Sequence, residues 1–469
     1  MRKAKIVCTL GPSTIGIDKL VELIKAGMDV ARLNFSHGNH EAHKKMYEDV
    51  RAAASKVGKP IAVLGDLCGP KIRVGSMKNG AVMLQNGKKT VLTVQEIEGT
   101  ADYIPHSYKP LARDVKPGDR ILFDDGLLEV KVESTKDQDV LCEVVVGGML
   151  KDHKGMNLPG SALSTAALTE KDKEDIVFGS KLGVDYFALS FVRSPQDLID
   201  AKKIAGKIPV IAKIEKPEAV RCLDEILDAA DGVMVARGDL GVEAGHEKVP
   251  LIQKRIIKDV KTRAKPVITA TQMLDSMIHN PRPTRAEVSD VANAVLDGTD
   301  AVMLSAETSA GEYPVEAVKT LASIIDEIES SDFYFKHQEN HPNLPERSFS
   351  NAIADASAEI TASLGLSAIA VYSESGRSAA LVSAYRPSAN VICFSRNEEV
   401  LNRLALYWGV KPLHGDWVKG VSGVVEQAER ELLKQKLVKP GDNICITFGM
   451  VIAKEPFQTN IMKLWKVRG

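Results

Sequence analysis

The chain has 469 residues, which at ~150 residues per domain suggests about three domains. Hydrophobic residues make up 44% and charged residues 26%, a balance that excludes both an intrinsically disordered chain and a fibrous one. The formal net charge is −1, so no broad field draws the molecule to nucleic acid or to an anionic membrane, and an anionic ligand has to be held by a local site. No uncharged apolar run approaches the ~20 residues of a membrane span. The basic start is followed by an apolar stretch only over 6–10, ended by Gly11-Pro12, and reads as a first strand rather than a signal peptide. Six scattered cysteines without a CxxC spacing argue against a disulfide framework or a zinc site and point to a reducing cytoplasm.

Short β-branched runs alternate with helix-length amphipathic stretches. Strands are predicted at 6–10, 30–34 and 61–66, with helices near 18–26 and 41–57 between them. From about Arg73 to Pro159 the rhythm breaks. Strand-like runs at 81–84, 90–94, 120–123, 127–132 and 140–146 follow one another, punctuated by Gly and Asp. They predict an all-β domain over 71–159, inserted after the third strand. Alternation resumes at Thr169-Glu170-Lys171-Asp172, the pattern of a capping box. Strands follow at 186–190, 210–214, 232–236, 266–270 and 301–305, the last leading into a helix over 315–329. Three units before the insertion and five after it make eight, the count of a closed (β/α)8 TIM barrel over 1–70 and 160–335. A polar stretch at 336–343 precedes a carboxy-terminal domain over 345–469, with strands at 368–372, 391–394, 410–413 and 443–448 and helices between them. That order predicts a doubly wound α/β domain.

Barrel active sites form at the carboxyl ends of the strands. Those ends carry Arg32 and Asn34 with Ser36 and His37 just beyond, Asp66, Ser190, Lys213 and Glu215, Arg237-Gly238-Asp239, Thr271-Gln272 and Glu307. The charges stand at strand ends and not at mid-strand, as a ring of functional groups around one mouth would require. Glu215 and Asp239, two carboxylates on neighbouring strand ends, suit Mg²⁺, a hard cation that keeps substrate oxygens and waters in its shell. Arg32, Arg73, Lys213 and Arg237 are cations around them. Positioning and charge neutralisation are what phosphoryl transfer needs. Each feature has a plainer reading by itself: Lys213 with Glu215 as a strand-end ion pair, Arg237-Gly238-Asp239 as a turn, His37 as a structural group. Their joint placement favours the site. The aromatics form no ladder with basic residues, so single-stranded nucleic acid is not an expected partner.

At these residues the sequence resembles the pyruvate kinases, over essentially the whole chain. The most specific stretches are Ile268-Thr269-Ala270-Thr271-Gln272-Met273-Leu274-Asp275-Ser276-Met277-Ile278 and Asn280-Pro281-Arg282-Pro283-Thr284-Arg285-Ala286-Glu287, supported by 32–38, 154–160, 212–215 and 236–241. The resemblance implies transfer of a phosphoryl group from phosphoenolpyruvate to ADP, giving pyruvate and ATP at the last step of glycolysis. It implies Mg²⁺ as cofactor and the inserted domain as a lid over the mouth. Lys213 resembles the lysine that neutralises the phosphoryl group in flight, and Arg32 its partner on the phosphate. Glu215 and Asp239 match the Mg²⁺ ligands, and Gly238 and Thr271 the groups at the substrate carboxylate and methylene carbon. Arg73 and Lys154 match nucleotide contacts, as do Asn34 and His37 more loosely. Asn34, Ser36, Asp66 and the carbonyl of Leu67 fall where the family binds K⁺.

Two departures qualify the match. The run Asp66-Leu67-Cys68-Gly69-Pro70-Lys71-Ile72-Arg73 carries lysine where the family more often has glutamate, and Leu67 and Val74 where threonine is usual. Members with lysine at this place generally do without K⁺, so K⁺ is not an expected requirement. Residues 449–460 lack the glycine-rich loop many members carry before Thr-Asn. Ser373, Ser375, Gly376, Arg377 and Ser378 nonetheless combine hydroxyls, a glycine and a helix start, a ready anion site that the family uses for effector phosphates. A sugar monophosphate or a nucleotide is the expected effector, ahead of fructose 1,6-bisphosphate, and a homotetramer is the family expectation. Two other readings stay open. One is a Mg²⁺-dependent lyase that stabilises a pyruvate enolate; the other is a non-catalytic phosphosugar sensor, which should have lost Lys213 or a metal carboxylate.

Overall fold

Eight parallel strands pair in chain order and the last returns to the first: β1 (Lys5–Thr9), β2 (Val30–Asn34), β3 (Ala62–Asp66), β4 (Tyr186–Leu189), β5 (Val210–Ile214), β6 (Gly232–Ala236), β7 (Val267–Ala270) and β8 (Ala301–Leu304). The structure, a computed structural model, describes residues 1–161, 163–334, 344, 348–416, 418, 420–450 and 458–469. The barrel closes at the seam where Ile6 lies opposite Val302. Side chains alternate between the two faces of a strand. Ile6, Cys8, Val63, Phe187, Val233 and Val267 face outward under the helices, while Val7, Val30, Leu64, Tyr186, Ile211, Met234 and Ile268 fill the interior. Both faces are buried, which is why these strands read as continuous apolar runs. The inward series does not stop at the apolar layers. The same period of two carries Val30 on to Arg32, Leu64 on to Asp66, Tyr186 and Ala188 on to Ser190, and Ile211 on to Lys213 and Glu215.

Between β3 and the helix Glu170–Leu182 the chain leaves the barrel and builds a six-stranded and a two-stranded sheet. Leu92, Ile121, Phe123, Val130 and Val140 form a separate core there, and Val74 joins it. A single helical turn, Leu111–Asp114, interrupts the all-β texture read from the sequence. Both connections to the barrel are pinned. On the outgoing one the Gly69 N–H donates to Asp172 Oδ1 at 3.0 Å. Gly69 has φ 66°, and a Cβ there would meet the Phe191 ring at 2.7 Å, so glycine is required. On the returning one the Arg193 guanidinium donates to the carbonyls of Leu163, at 2.6 Å, and of Thr165.

The carboxy-terminal sheet contains β9 (Leu366–Tyr372), β10 (Asn390–Ser395), β11 (Val410–His414), β12 (Asn443–Phe448) and β13 (Ile461–Lys466) in the order β11-β10-β9-β12-β13. Helices Phe349–Leu364 and Arg377–Ala384 cover one face and Gly420–Lys434 the other, a doubly wound arrangement. The antiparallel edge strand β13 was not expected. Its residues are half-buried or exposed, as an edge allows, and lysines at 463 and 466 interrupt its apolar ones. The polar stretch at 336–343 lies outside the described residues.

This domain also closes the amino-terminal end of the barrel. Ala405 and Leu406 join the apolar cluster of the barrel interior, and the Tyr186 hydroxyl donates to the Arg403 carbonyl at 2.9 Å. Around them, Lys3 Nζ donates to the carbonyls of Pro387 and Ser388 at 2.6 Å each. Arg386 pairs with Asp300 at 2.9 Å and lies 4.8 Å from the Trp408 ring centre. Trp408 Nε1 donates to the Tyr334 hydroxyl at 3.0 Å. No helix among the described residues is long and apolar enough to cross a membrane.

Candidate active site

The inward charges meet at the carboxyl end of the barrel. Lys213 Nζ donates to Ser190 Oγ at 2.7 Å and lies 2.9 Å from Glu215 Oε1 and 3.2 Å from Asp66 Oδ1. Asp66 Oδ2 accepts from Arg32 Nε at 2.6 Å, and Arg32 Nη1 donates to Thr9 Oγ1 at 2.9 Å. Ser190 Oγ in turn donates to the carbonyl of Leu67 at 2.7 Å. Glu215 Oε2 accepts the Phe191 N–H at 2.8 Å, an N–H aimed by a left-handed φ of 55°. At the end of β7, Thr271 and Gln272 are both left-handed, with φ 70° and 54°. Two successive non-glycine residues in that region are strained, and strain of this kind collects at functional sites. The twist lets Thr271 Oγ1 accept the Gly238 N–H at 2.9 Å and donate to the Ala270 carbonyl at 2.7 Å. Arg32, Asp66, Lys71, Lys213, Glu215, Asp239 and Thr271 share a cavity of about 130 Å³ with Asn34 and Ser36.

The charges in this cavity are unequal partners. Burial works against the Lys213 ammonium, yet Asp66 and Glu215 outweigh it and hold the group above the ordinary lysine range. Burial likewise opposes the Asp66 carboxylate, and Arg32 and Lys213 overcome it, so Asp66 is held below the usual carboxyl range. Glu215 and Asp239 go the other way. Burial raises both; Lys213 opposes it in each, while Asp239 adds to the rise at Glu215, and Asp125 and Glu243 add to it at Asp239. Two neighbouring carboxylates whose charged forms burial disfavours fit a divalent cation. Among the described residues no group of three or more His, Cys, Asp or Glu could enclose a metal, so a cation held by these two leaves positions for substrate oxygens and water.

Asp239 is placed by a helix, so the plainer reading of Arg237-Gly238-Asp239 as a turn does not hold. The helix Arg237–Ala244 starts directly after β6 and has Asp239 in its first turn. Arg237 is not a free cation of the mouth: it grips both oxygens of Asp290 at 2.7 Å each and donates to the carbonyls of Ala270 and Thr271. Arg237 therefore fixes the strained end of β7. Arg73 and Lys154 line a second cavity, of about 260 Å³, between lid and barrel. There Lys154 Nζ pairs with Asp124 Oδ1 at 2.8 Å. His37 is exposed; partial burial, then Lys71, Arg73 and Arg32, hold its pKa below the ordinary histidine value. Asn34 Oδ1 accepts the Ser36 N–H at 3.1 Å. In the carboxy-terminal domain Gly376, with φ 81°, caps the helix Arg377–Ala384, and its N–H donates to Ser373 Oγ at 3.0 Å. The Arg377 N–H points to Ser375 Oγ at 3.4 Å, and Ser378 Oγ meets Thr459 Oγ1 at 2.5 Å. Ser373 also lines a pocket of about 330 Å³ with Tyr372, Glu374, Phe394 and Arg396. Ser190 was not singled out from the sequence as a binding group, although its place two residues beyond Ala188 on an inward series was the available signal.

Fold and site together define a barrel enzyme with a β domain inserted beside its mouth. A family model described as the pyruvate kinase barrel domain matches residues 1–318, and one for the pyruvate kinase alpha/beta domain matches 351–465. The chain is 46% identical over 470 residues to a pyruvate kinase of Geobacillus stearothermophilus, covering 99% of this chain and 80% of that one. A pyruvate kinase of Bacillus licheniformis is 45% identical over 474 residues, covering 100% of this chain and 81% of its own. A crystal structure of a pyruvate kinase from Cryptosporidium parvum superposes with a TM-score of 0.93 at 36% identity, covering 99% of this chain and 96% of the other. The chain belongs to the pyruvate kinase family.

Proposed function

We propose that this protein transfers the phosphoryl group of phosphoenolpyruvate to ADP, yielding pyruvate and ATP. The observation that carries the reading is the Lys213 ammonium, locked between Asp66, Glu215 and Ser190 with Arg32 on the far side of Asp66. Arg32 and Lys213 bind the substrate phosphate. Gly238 and Thr271, bonded to each other through the Gly238 N–H, lie at its carboxylate and methylene carbon. A β-phosphate oxygen of ADP bonds to phosphorus as the enolate oxygen departs with the electron pair, and the methylene carbon then takes a proton to give pyruvate. Lys213 supplies a fixed positive charge where the phosphoryl oxygens pass, already oriented before reaction. Glu215 and Asp239 would hold Mg²⁺, which when bound supplies the remaining neutralisation at the substrate oxygens. Arg73 and Lys154 hold the nucleotide with Asn34 and His37, and Lys154 exchanges Asp124 for phosphate as ADP enters. The lid excludes water, which would otherwise take the phosphoryl group.

Lys71 replaces K⁺ in this reading. Of the family's K⁺ set, Asp66 is engaged by Arg32 and Lys213, and the Leu67 carbonyl by the Ser190 hydroxyl. Lys71 is exposed at the hinge and lines the same cavity as Asn34 and Ser36. An ammonium on a flexible stem can stand in for a monovalent cation. Ser373, Ser375, Gly376, Arg377 and Ser378 take the phosphate of a sugar monophosphate or a nucleotide as activator. A homotetramer in the cytoplasm completes the proposal; six unpaired cysteines support a reducing compartment. Pyruvate formation from phosphoenolpyruvate, ADP and Mg²⁺ tests the activity, and its absence overturns the reading. Strong activation by fructose 1,6-bisphosphate with none by monophosphates overturns the choice of effector.

A further inference from the structure

The lid meets the barrel through a side chain that the chemistry above does not use. Asn157, on the lid's returning strand Met156–Asn157, donates its amide to Glu243 Oε1 at 2.9 Å. Glu243 belongs to the barrel. It stands in the last turn of the helix Arg237–Ala244, whose first turn carries Asp239. The same Glu243 oxygen receives Lys216 Nζ at 2.6 Å, and both charged side chains are buried, with 6% of Lys216 and 1% of Glu243 exposed. Lys216 directly follows Glu215. Burying such a pair against its desolvation is weak support for stability and calls for another use. Glu243 Oε2 has no partner among the described residues, so Asn157 is the lid's donor to a carboxylate that Lys216 has already set in place. On the lid, Asn157 is three residues beyond Lys154, and the two line one cavity with Arg73 and Glu243. The nucleotide lysine and the amide therefore sit on one segment of the lid.

We propose that Asn157 and Glu243 are the latch of the lid. The amide–carboxylate bond forms when the lid rests on the barrel, and it ties the nucleotide contacts Arg73 and Lys154 to the helix that positions Asp239. Lys216 keeps the acceptor oriented when the lid lifts, so closure orders only Asn157. Glu243 is a positioning residue. This inference rests on the phosphotransfer reading, and the experiment separates the two. In the full-length protein, ADP is varied at saturating phosphoenolpyruvate, and then the converse, for Asn157→Ala, Glu243→Gln and the pair combined. A hydrogen bond to a charged group is lost in Asn157→Ala, so the KM for ADP rises about tenfold, while the KM for phosphoenolpyruvate and the melting temperature stay close to the parent's. Glu243→Gln gives a similar rise, and the double variant is no worse than the worse single one, because one bond is removed twice. Asn157→Asp sets two carboxylates against each other and raises the KM for ADP beyond the alanine variant. An unchanged KM for ADP in Asn157→Ala, or effects that multiply in the double variant, would overturn the latch and leave the parent's activity standing. If Glu243→Gln does not fold, the Asn157 series decides alone: an aspartate no worse than alanine overturns the latch. A parent without pyruvate formation overturns the underlying reading instead.

Discussion

Replacing Lys213 with methionine removes a buried ammonium while keeping most of the side chain's volume. In the parent that ammonium stands 2.7 Å from Ser190, 2.9 Å from Glu215 and 3.2 Å from Asp66. The two carboxylates are not equally exposed to its loss. Asp66 keeps Arg32 at 2.6 Å, whereas Glu215 keeps the Phe191 N–H and has no second cation at ion-pair distance among the described residues. The loss of one preorganised charge partner costs roughly 10²–10³ in kcat, or ~2.7–4 kcal/mol of barrier. The pH profile moves as well. Burial already holds Glu215 and Asp239 above the ordinary carboxyl range, and Lys213 opposes that rise in both. Without it their pKa values climb further, so at a given mildly acidic pH a smaller fraction is ionised and able to hold Mg²⁺. The acidic limb of kcat/KM therefore shifts to higher pH. Pyruvate formation, followed at saturating Mg²⁺ from mildly acidic to neutral pH, reads both effects. Lys213→Arg keeps the charge and restores the position of the limb without restoring the full rate. A methionine variant within a few-fold of the parent kcat, or one whose acidic limb stays where it was, would refute the reasoning.

Three further expectations bear on the same molecule. Glu215→Gln swaps a carboxylate for a neutral amide, a poorer ligand for a hard cation, and the Mg²⁺ concentration for half-maximal rate rises at least about tenfold; an unchanged Mg²⁺ titration removes Glu215 from the ligand set. The parent runs at near-full rate with a bulky organic cation in place of K⁺, and Lys71→Glu creates a K⁺ requirement. A parent stimulated about tenfold or more by K⁺ would return Asn34, Ser36 and Asp66 to a working K⁺ site, since a flexible ammonium had then failed to substitute.

The barrel was legible because its strands obey two simple periodicities at once. Val30 to Arg32 to Asn34, and Ile211 to Lys213 to Glu215, alternate inward on strands whose outward residues are also apolar, so the switch from Val or Ile to a charge marks the mouth without a structure. The capping box at Thr169 and Asp172 was legible because it is local, and the structure has both of its bonds. What escaped was long-range or weakly patterned. The grip of Arg237 on Asp290 spans 53 positions and turns a presumed mouth cation into a brace for β7. Asn157 and Glu243 are 86 positions apart, on different domains, and neither is unusual in its own segment. Strand β13 is an edge strand whose apolar residues are interrupted by Lys463, so its pattern is weak. Arg237-Gly238-Asp239, which taken alone would be a turn, is a helix start.

Leu406 lies, in chain order, far into the last domain, yet it is a wall of the first one: with Ala405 it plugs the amino-terminal end of the barrel, in one cluster with the barrel's interior side chains. A gene shortened to barrel and lid would encode a cylinder open at one end, with apolar interior side chains facing water and Asp300 deprived of the Arg386 guanidinium. The three parts are thus not modules that recombination can trade freely. A chimera that takes its last domain from a relative must bring a plug of matching shape at 405–406 and a Trp408 that still fits over Lys3, whose ammonium lies 4.8 Å from that ring. The residues that restrict exchange between lineages are therefore found at the end of the barrel opposite the one where the chemistry takes place.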